Sequence, residues 1–458
     1  LESMSAIGRT MARLFPNLPQ THPLAGTGDP LWTAIADPRE YQGWLGHYHV
    51  TQQKWDPGPF DFKDFCTRLR GSLCFPMFPR MEPVKGGDDK PVVPDDGSEL
   101  KQATFDLYKL NEERADGGFF PVGPWGESRL WHGGIHVIGK PGGGVFAPYP
   151  GRLVAARMGK ESSIGSFNFV LLRHELTLGK AKIRLYSLYM HLADERKQDK
   201  PVDWMTKDAW KANGKPGVVA LLDEPIEAGA LIGHVGKVGP EELSRPQVHI
   251  EFFSDRFIEG FDDQWQLVDG SSGGRFCDAP EINDLIDQNK DHILSRQEIT
   301  EFFSTGQAEP LRRMVPLHVS EWIAEPSWSD ALKAPKDFKN RKPAEIDAMV
   351  AEQITPGLWW DAAVATHCRL PKDGVVYHYH PVAFISWFKN QLIQAAVAAA
   401  RTREKLDDKD ARKVPPTITD DREGGSMRSA ADVTEDPCNN LTLEQMVQGF
   451  DAPECTTR

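Results

Sequence analysis

The sequence has few cysteines and few clustered basic residues. Its 458 residues include six cysteines, and no two form a Cys-x-x-Cys pair, which excludes zinc-ribbon and thioredoxin-type motifs. We expect free thiols, although Cys438 and Cys455 could pair in an oxidising compartment. The formal net charge of −13 argues against nucleic-acid binding, which needs clustered Lys and Arg to replace phosphate counterions.

Long apolar runs are also missing. The first residues, LESMSAIGRTMARLF, lack the apolar core of a signal peptide. The most apolar late run, PVAFISWFKNQLIQAAVAAA, is interrupted by Lys389, Asn390 and Gln391. We therefore expect a buried or amphipathic helix there and no membrane span.

Composition and periodicity divide the chain into four predicted regions. Residues 1–114 are rich in Pro, Gly and Trp, and their role is open. Residues 115–277 contain short β-like runs broken by glycine, such as GRLVAAR, FNFVLLRHE and QVHIEFF, which predict half-buried antiparallel strands. Residues 278–400 show helical periodicity, for example in PLRRMVPLHVSEWIAE, and residues 401–458 predict a charged flexible tail. The predicted fold class is α+β multidomain, an antiparallel β-domain followed by an all-α domain.

Two histidines flank a glycine pair in the stretch RLWHGGIHVIG. On a flat strand, the Cα atoms of His132 and His136 would lie about 13 Å apart, almost too far for both imidazoles to reach one ion. A turn at Gly133 and Gly134 would bring the two rings together, because glycine adopts backbone conformations closed to other residues. The pair is therefore a candidate metal clamp.

Further ligands come from two predicted strands. In RPQVHIEFF, strand alternation places Gln247, His249 and Glu251 on one face, and in YSLYMHL His191 shares a face with Tyr189. Three protein ligands and a water are typical of a catalytic zinc site. The alternative is that each histidine is only a hydrogen-bonded structural residue.

The motifs of residues 125–255 resemble a known family. In order, WHGGIH, VFAPYPGRLVAA, VLLRHE, YSLYMHL, IEAGALIGHVG and VHIEFF are similar to the lysostaphin-like (LytM-type) zinc metallopeptidases, which cut peptides of bacterial cell walls. The resemblance implies Zn²⁺ bound by His132, His136 and His249, with His191 as the catalytic histidine that orients water or stabilises the oxyanion.

Two positions depart from the family pattern. His136 stands where the family has Asp, which leaves a neutral three-histidine ligand set. Gln247 stands at the position of the family's other catalytic histidine, and glutamine cannot take a proton at neutral pH. Turnover would then depend on His191 alone or on the nearby Glu251.

The segment DQNKDHILSRQE matches the spacing of an EF-hand loop. His292 occupies the sixth position, where glycine is usual, so an EF-like fold without strong binding is the alternative to a Ca²⁺ site. The predicted calcium ligands are Asp287, Asn289, Asp291, the Ile293 carbonyl and Glu298.

The segments PLHVSEWIAE, LWWDAAV and VVYHYHPVAFISWF resemble the lysozyme-like module of type VI secretion cell-wall effectors. Val319 stands where that motif usually has Glu, and Glu321 is the alternative acid for glycoside cleavage. Glu321 and His318 could equally be structural. His378 and His380 share a strand face, and we expect them to pack and to hydrogen bond rather than to bind metal.

Together the resemblances imply a peptidoglycan hydrolase, an antibacterial effector that a type VI system delivers without a signal peptide into the periplasm of a target cell. They imply a cognate immunity protein and a spike or adaptor protein as partners. Two alternatives stay open: a degenerate, non-enzymatic protein that binds peptidoglycan or activates another hydrolase, and a muramidase whose β-domain only targets it.

Overall fold

The computed structural model describes most of the chain between residues 130 and 388. The ranges are 130–178, 181–199, 201–239, 244–261, 264–291, 294–333, 341–364 and 368–388, with residue 391 and short pieces before residue 130. Most of the predicted N-terminal region and the whole predicted tail, residues 401–458, lie outside the described residues.

The described strands cluster in the middle of the chain. In order they are β1 Val84–Lys85, β2 Pro91–Val92, β3 Gly134–Ile138, β4 Gly144–Phe146, β5 Gly151–Arg157, β6 Glu161–Ser162, β7 Gly165–Ser166, β8 Asn168–Leu178, β9 Ala181–Leu192, β10 Ala220–Ile226, β11 Leu231–His234, β12 Lys237–Val238, β13 Arg245–Ser254, β14 Gln266–Asp269, β15 Met314–Val319 and β16 Val375–Tyr379. The strands predicted between residues 134 and 254 are confirmed.

The described helices are short. They are α1 His47–Val50, α2 Asp208–Asn213, α3 Pro280–Ile286, α4 Arg296–Ser304, α5 Glu309–Arg312, α6 Trp328–Lys333, α7 Pro343–Met349, α8 Trp360–Val364 and α9, described over 381–388. A π-helix, Val350–Ile354, follows α7, and 3₁₀ turns cover Glu195–Lys197, Asp203–Thr206, Ser271–Gly273 and Thr355–Gly357. No helix in the described part of the chain is long and apolar enough to cross a membrane.

One 12-stranded, mostly antiparallel sheet organises the protein. Its main path is β10-β5-β8-β9-β13-β12-β7-β6, and β3 and β16 both pair with β13. Strand β13 is the hub: it pairs with β9 along one edge and, along the other, with β3 and then β16. Strand β15 joins β16 antiparallel and β14 in parallel.

The sheet is covered on both faces. Alternate residues of β8 enter two different clusters, with Val170 and Leu172 on one side and Phe169 and Leu171 on the other. We expected half-buried strands, but the central strands pack on both faces, which explains the continuous apolar run FVLL in β8. The sequence around β8 therefore predicted the strand but not its second covered face.

The region after residue 278 differs from the all-α domain that we expected. It contributes β15 and β16 to the same sheet as the β-domain, and the helices described there are short. Its apolar residues also enter both cores: Val315 joins one, and Val319 and Trp322 join the other. The boundary at residues 277 and 278 remains a prediction, and hydrogen-bonded sheet pairing crosses it.

The segment PLRRMVPLHVSEWIAE is where the helix prediction was wrong. Only Glu309–Arg312 is helical, and the chain then enters β15. The strand is buried at all positions but one, so burial between neighbouring strands overrides the weak helical pattern of the segment. The helices predicted in QEITEFFSTG and AEIDAMVAEQI are confirmed.

His174, buried on β8, makes the stability of the fold sensitive to acid. Its ring nitrogens lie 3.1 Å from the Pro150 carbonyl and 2.7 Å from Ser187 Oγ, and burial lowers the pKa of His174 to about 4. A lowered folded-state pKa means that the unfolded chain binds the proton first. The stability is therefore fully present above the unfolded pKa of about 6.5 and is lost as the pH falls towards 4.

We expect the difference in free energy of unfolding between the wild type and His174→Gln to shrink by about 3 kcal/mol between pH 7 and pH 4, because only the wild type has at this position a group whose pKa differs between the folded and unfolded states. Urea titrations of both proteins at several pH values measure it. A difference that does not change with pH would contradict the assignment.

Candidate metal centre

The register of β3 against β13 brings two of the predicted zinc ligands together. His136 lies directly opposite His249 in the antiparallel ladder, and their ring centroids are 5.2 Å apart. His132, just before β3, places its ring centroid 5.0 Å from that of His136 and 4.8 Å from that of His249. One ligand atom from each of the three buried side chains lies within 4.8 Å of the others.

The glycine pair makes this approach possible in a different way from the one we expected. Neither Gly133 nor Gly134 is among the residues with positive φ, so no left-handed turn is involved. A Cβ on Gly134 would instead lie 2.4 Å from the Ile250 carbonyl oxygen and 2.8 Å from His249 Nε2. Glycine is required because β3 and His249 approach too closely for any side chain.

The polar contacts of two of the rings favour one neutral tautomer for each. His132 Nδ1 lies 3.0 Å from the Phe119 carbonyl oxygen and can only donate to it, which leaves Nε2 as a bare acceptor. His249 Nε2 faces Glu251 Oε2 at 3.4 Å, and as a donor there it leaves Nδ1 bare. His132 Nε2 and His249 Nδ1 then point lone pairs at each other across 3.2 Å.

Two facing lone pairs fit a shared cation. At metal–nitrogen distances of about 2.05 Å, two ligands of a tetrahedral ion lie about 3.3 Å apart, which matches the separation of these nitrogens. Burial lowers the pKa of His132 to about 3 and that of His136 well below its usual value, so both rings are neutral, as metal binding requires. The donor set fits Zn²⁺.

His191 reaches the centre through a β-bulge. Asn168 pairs with Leu192 and Phe169 pairs with Met190, so His191 is the extra residue, with a φ of 67°. Its Nδ1 lies 2.6 Å from the Ser166 carbonyl oxygen, and its ring centroid is 5.4 Å from that of His136. Burial lowers the pKa of His191 to about 3. The bulge, rather than simple strand alternation, aims this ring at the centre.

Gln247 lies on β13 two residues before His249 and is 3% exposed. Its Oε1 is buried, and no described residue donates a hydrogen bond to it. A buried amide oxygen without a donor is costly, and such atoms concentrate at functional sites. The position assigned to Gln247 from the sequence therefore carries an unsatisfied polar group.

Glu251 lies two residues after His249 and is fully buried. Trp322 Nε1 donates to its Oε2 at 2.7 Å, and His378 Nδ1 lies 3.1 Å from its Oε1. Burial by itself raises the pKa of Glu251, but His249 and His378 outweigh burial and hold that pKa below its usual value. Glu251 is thus a carboxylate that can orient the His249 ring, as outer carboxylates do in histidine metal sites.

Glu321, which we expected on a helix of a separate module, lies in the turn after β15. Its Oε1 accepts a hydrogen bond of 2.9 Å from Gly133 N, next to His132. Together with His249 and Glu251 it forms a second group whose ligand atoms lie within 4.8 Å of one another. Burial and the charge of Glu251 raise the pKa of Glu321 well above its usual value.

Arg275 holds the turn that carries Glu321. Its guanidinium donates to the carbonyl oxygens of Ser320 at 3.1 Å, of Ile323 at 2.7 Å and of Pro326 at 2.6 Å. It also packs over the Trp328 ring, 4.4 Å from the centroid. Because one planar donor satisfies three carbonyls, the turn has a single well-defined position.

The predicted calcium loop is described in part. Asp287 caps the C-terminal end of α3, and Asn289 Oδ1 accepts from Asp291 N at 2.8 Å. Glu298 forms a capping box with Ser295 at the start of α4. Ile293 lies outside the described residues, and in the described part the carboxylates of this loop do not gather into one metal-binding group. The calcium site remains a prediction.

His318 and His380, two further histidines of the C-terminal region, pack against aromatic rings. Trp131 stacks on His318, with ring centroids 3.9 Å apart, and His318 Nε2 lies 3.0 Å from the Phe276 carbonyl oxygen. Phe120 contacts the edge of His380, with ring centroids 5.7 Å apart. His378 differs, because it reaches Glu251. Sequence reasoning missed its part in the centre and that of Trp322.

A comparison with protein-family models gives no match, and a comparison with curated proteins gives none either. Among solved structures, the chain is similar to the catalytic domain of the antimicrobial peptidase lysostaphin from Staphylococcus simulans, with 18% identity and a TM-score of 0.19. The likeness covers 33% of this chain and 88% of that one. At this TM-score it establishes neither fold nor activity for the chain.

Proposed function

We propose that this chain is a zinc-dependent hydrolase that cleaves an amide bond in bacterial peptidoglycan. The observation that carries the metal part of the proposal is the pair of ring nitrogens, His132 Nε2 and His249 Nδ1, which face each other at 3.2 Å. Two buried ring nitrogens at this distance need a proton or a cation between them, and His136 completes a set of three ligands for a cation. The substrate class rests on the order of motifs between WHGGIH and VHIEFF.

His132, His136 and His249 would hold the metal, which when bound supplies Lewis acidity and lowers the pKa of water. His191, fixed through Nδ1 to the Ser166 carbonyl oxygen, presents its other ring nitrogen as an acceptor for a proton of the attacking water. Gln247 can donate its amide N–H to the oxygen of the scissile carbonyl. Glu251 holds the His249 ring in place.

The wider role is part of the same proposal. The resemblance to type VI effectors supports delivery into the periplasm of a target cell, a spike or adaptor protein as carrier and an immunity protein as antagonist. Ca²⁺ would bind the loop from Asp287 to Glu298 and order the start of α4, since Glu298 also belongs to its capping box.

A non-enzymatic protein that binds peptidoglycan is the second candidate, and Gln247 favours it. Glutamine at a position where the family uses a catalytic histidine removes one proton acceptor from the site. Binding would then persist without turnover. A muramidase is the third candidate, and for it Glu321 would have to protonate a glycosidic oxygen.

Digestion of purified peptidoglycan with zinc and calcium present distinguishes the three functions. Mass spectrometry of the fragments is expected to show new amino groups from amide cleavage, which EDTA suppresses. Reducing sugar ends would instead establish glycan cleavage. Sedimentation of the protein with intact, uncut peptidoglycan would establish binding alone, and the hydrolase proposal would then be wrong.

A further inference from the structure

We propose that Glu251 and Glu321 together supply the negative charge that balances a divalent cation on the three histidines, and that Trp322 is a positioning residue for this pair. The inference rests on the proposed metal centre and deepens it. It means that the C-terminal region, from β15 onwards, completes a site whose ligands all lie in the β-domain.

The charge of the ligand set is the first reason. His132, His136 and His249 are neutral donors, so a bound dication would leave two uncompensated positive charges among fully buried groups. Burying uncompensated charge costs several kcal/mol, as an order-of-magnitude estimate. Two acidic side chains, Glu251 and Glu321, lie next to His249, and as carboxylates they match this charge in number.

The contacts of Glu251 are the second reason. One carboxyl oxygen of Glu251, Oε2, lies 3.4 Å from His249 Nε2 and 2.7 Å from Trp322 Nε1. His378 Nδ1 lies 3.1 Å from the other oxygen. Trp322 therefore orients Glu251 through a hydrogen bond, and Glu251 lies against a metal ligand, His249.

The contacts of Glu321 are the third reason. Its carboxyl accepts from the backbone N–H of Gly133, the residue after His132, at 2.9 Å. Arg275 holds the surrounding turn through three carbonyl oxygens. Glu321 is thus held beside the centre by the turn after β15 and is not a mobile surface side chain.

Packing of the sheet explains why these residues meet. On β13, Phe253 belongs to the same face as His249 and Glu251, and this face is covered by Val319, Trp322 and Trp360. The elements that cover this face therefore lie over the metal ligands. Residues 71 and 188 positions apart in the sequence form direct hydrogen bonds here.

Zinc affinity of three full-length variants, measured by chelator competition, tests the inference. Glu321→Gln keeps an oxygen acceptor for Gly133 N and removes the carboxylate charge; Trp322→Phe keeps an aromatic ring and removes the indole N–H donor. For each of these two variants we expect the zinc Kd to rise about 10- to 100-fold, as it does when other residues that hold a metal ligand in place are removed. Trp359→Phe is the matched control, since its buried indole N–H has no acceptor among the described residues, and its Kd should not change.

Thermal unfolding of the metal-free proteins separates this role from a merely structural one. We expect the metal-free Glu321→Gln protein to unfold at about the wild-type temperature, because glutamine keeps the oxygen that accepts from Gly133 N. Weaker zinc binding with undiminished metal-free stability supports the inference. Wild-type zinc affinity in both variants, or a loss of affinity that only parallels a loss of stability, overturns it.

The wild type distinguishes this failure from failure of the proposed function. If the wild-type chain binds no zinc, the metal centre itself is wrong. If the wild type binds zinc and Glu321→Gln and Trp322→Phe bind it equally well, the centre stands and only the role of the C-terminal region is wrong.

Discussion

His132→Ala is expected to remove zinc from the protein and to abolish amide cleavage. Structural zinc sites are stabilised by about 10–16 kcal/mol through four ligands, so one ligand is worth about 3 kcal/mol, or about 100-fold or more in affinity. His132 is the informative ligand to remove, because its Nε2 faces His249 Nδ1 and its loss leaves Glu251 with all its partners. Metal content after dialysis and the release of amino groups from peptidoglycan measure the two effects.

His174→Gln is the matched control for this experiment. It also removes a buried histidine, but His174 bonds to Pro150 and Ser187, away from the metal group. We expect it to keep its zinc. Retention of zinc and of full cleavage by His132→Ala would show that the three histidines are only structural.

Gly134→Ala is expected to destabilise the protein by about 3 kcal/mol or more and to weaken zinc binding at the same time. The new Cβ would meet the Ile250 carbonyl oxygen at 2.4 Å, and this neighbour is backbone and cannot rotate away. Overpacking of this kind costs about 1–3 kcal/mol where side chains can adjust, and more where they cannot. Because β3 must move away from β13, His136 leaves its place opposite His249.

Gly142→Ala provides the comparison. Gly142 has a φ of 71°, and a Cβ there would meet nothing within 4 Å. We expect a cost of about 1–2 kcal/mol from the left-handed backbone alone, and no change in zinc affinity. Urea denaturation and zinc titration of both variants give the comparison; equal effects of the two substitutions would mean that close approach at Gly134 has no special role.

The hydrophobic periodicity of short segments predicted the strands well and predicted the region after residue 278 poorly. Runs such as GRLVAAR and QVHIEFF carry the period of a strand, and β5 and β13 form there. In PLRRMVPLHVSEWIAE, a few apolar residues fit a helical period by chance of spacing. Pairing of β15 with β16 and burial of its residues decided the conformation.

The sequence also explained the glycine pair, Gly133 and Gly134, only in part. The sequence HGGIH indicated that two histidines come together and that glycine allows it. Which property of glycine matters depends on what lies across the ladder. Here the atoms of Ile250 and His249 leave no space for a Cβ.

The sequence by itself determined the three candidate metal ligands, since each of His132, His136 and His249 stands within a short motif whose local geometry is set by strand and glycine. It also pointed to His191, although the bulge that aims this ring depends on the pairing of β8 with β9. Only the tertiary structure decided the part of Glu321, Trp322 and His378. These residues come from β15, β16 and the turn after β15, and packing on one face of β13 is what brings them to the histidines. Contacts between residues so far apart in sequence depend on how the strands of the whole sheet pair, and the periodicity of a short segment does not predict this pairing.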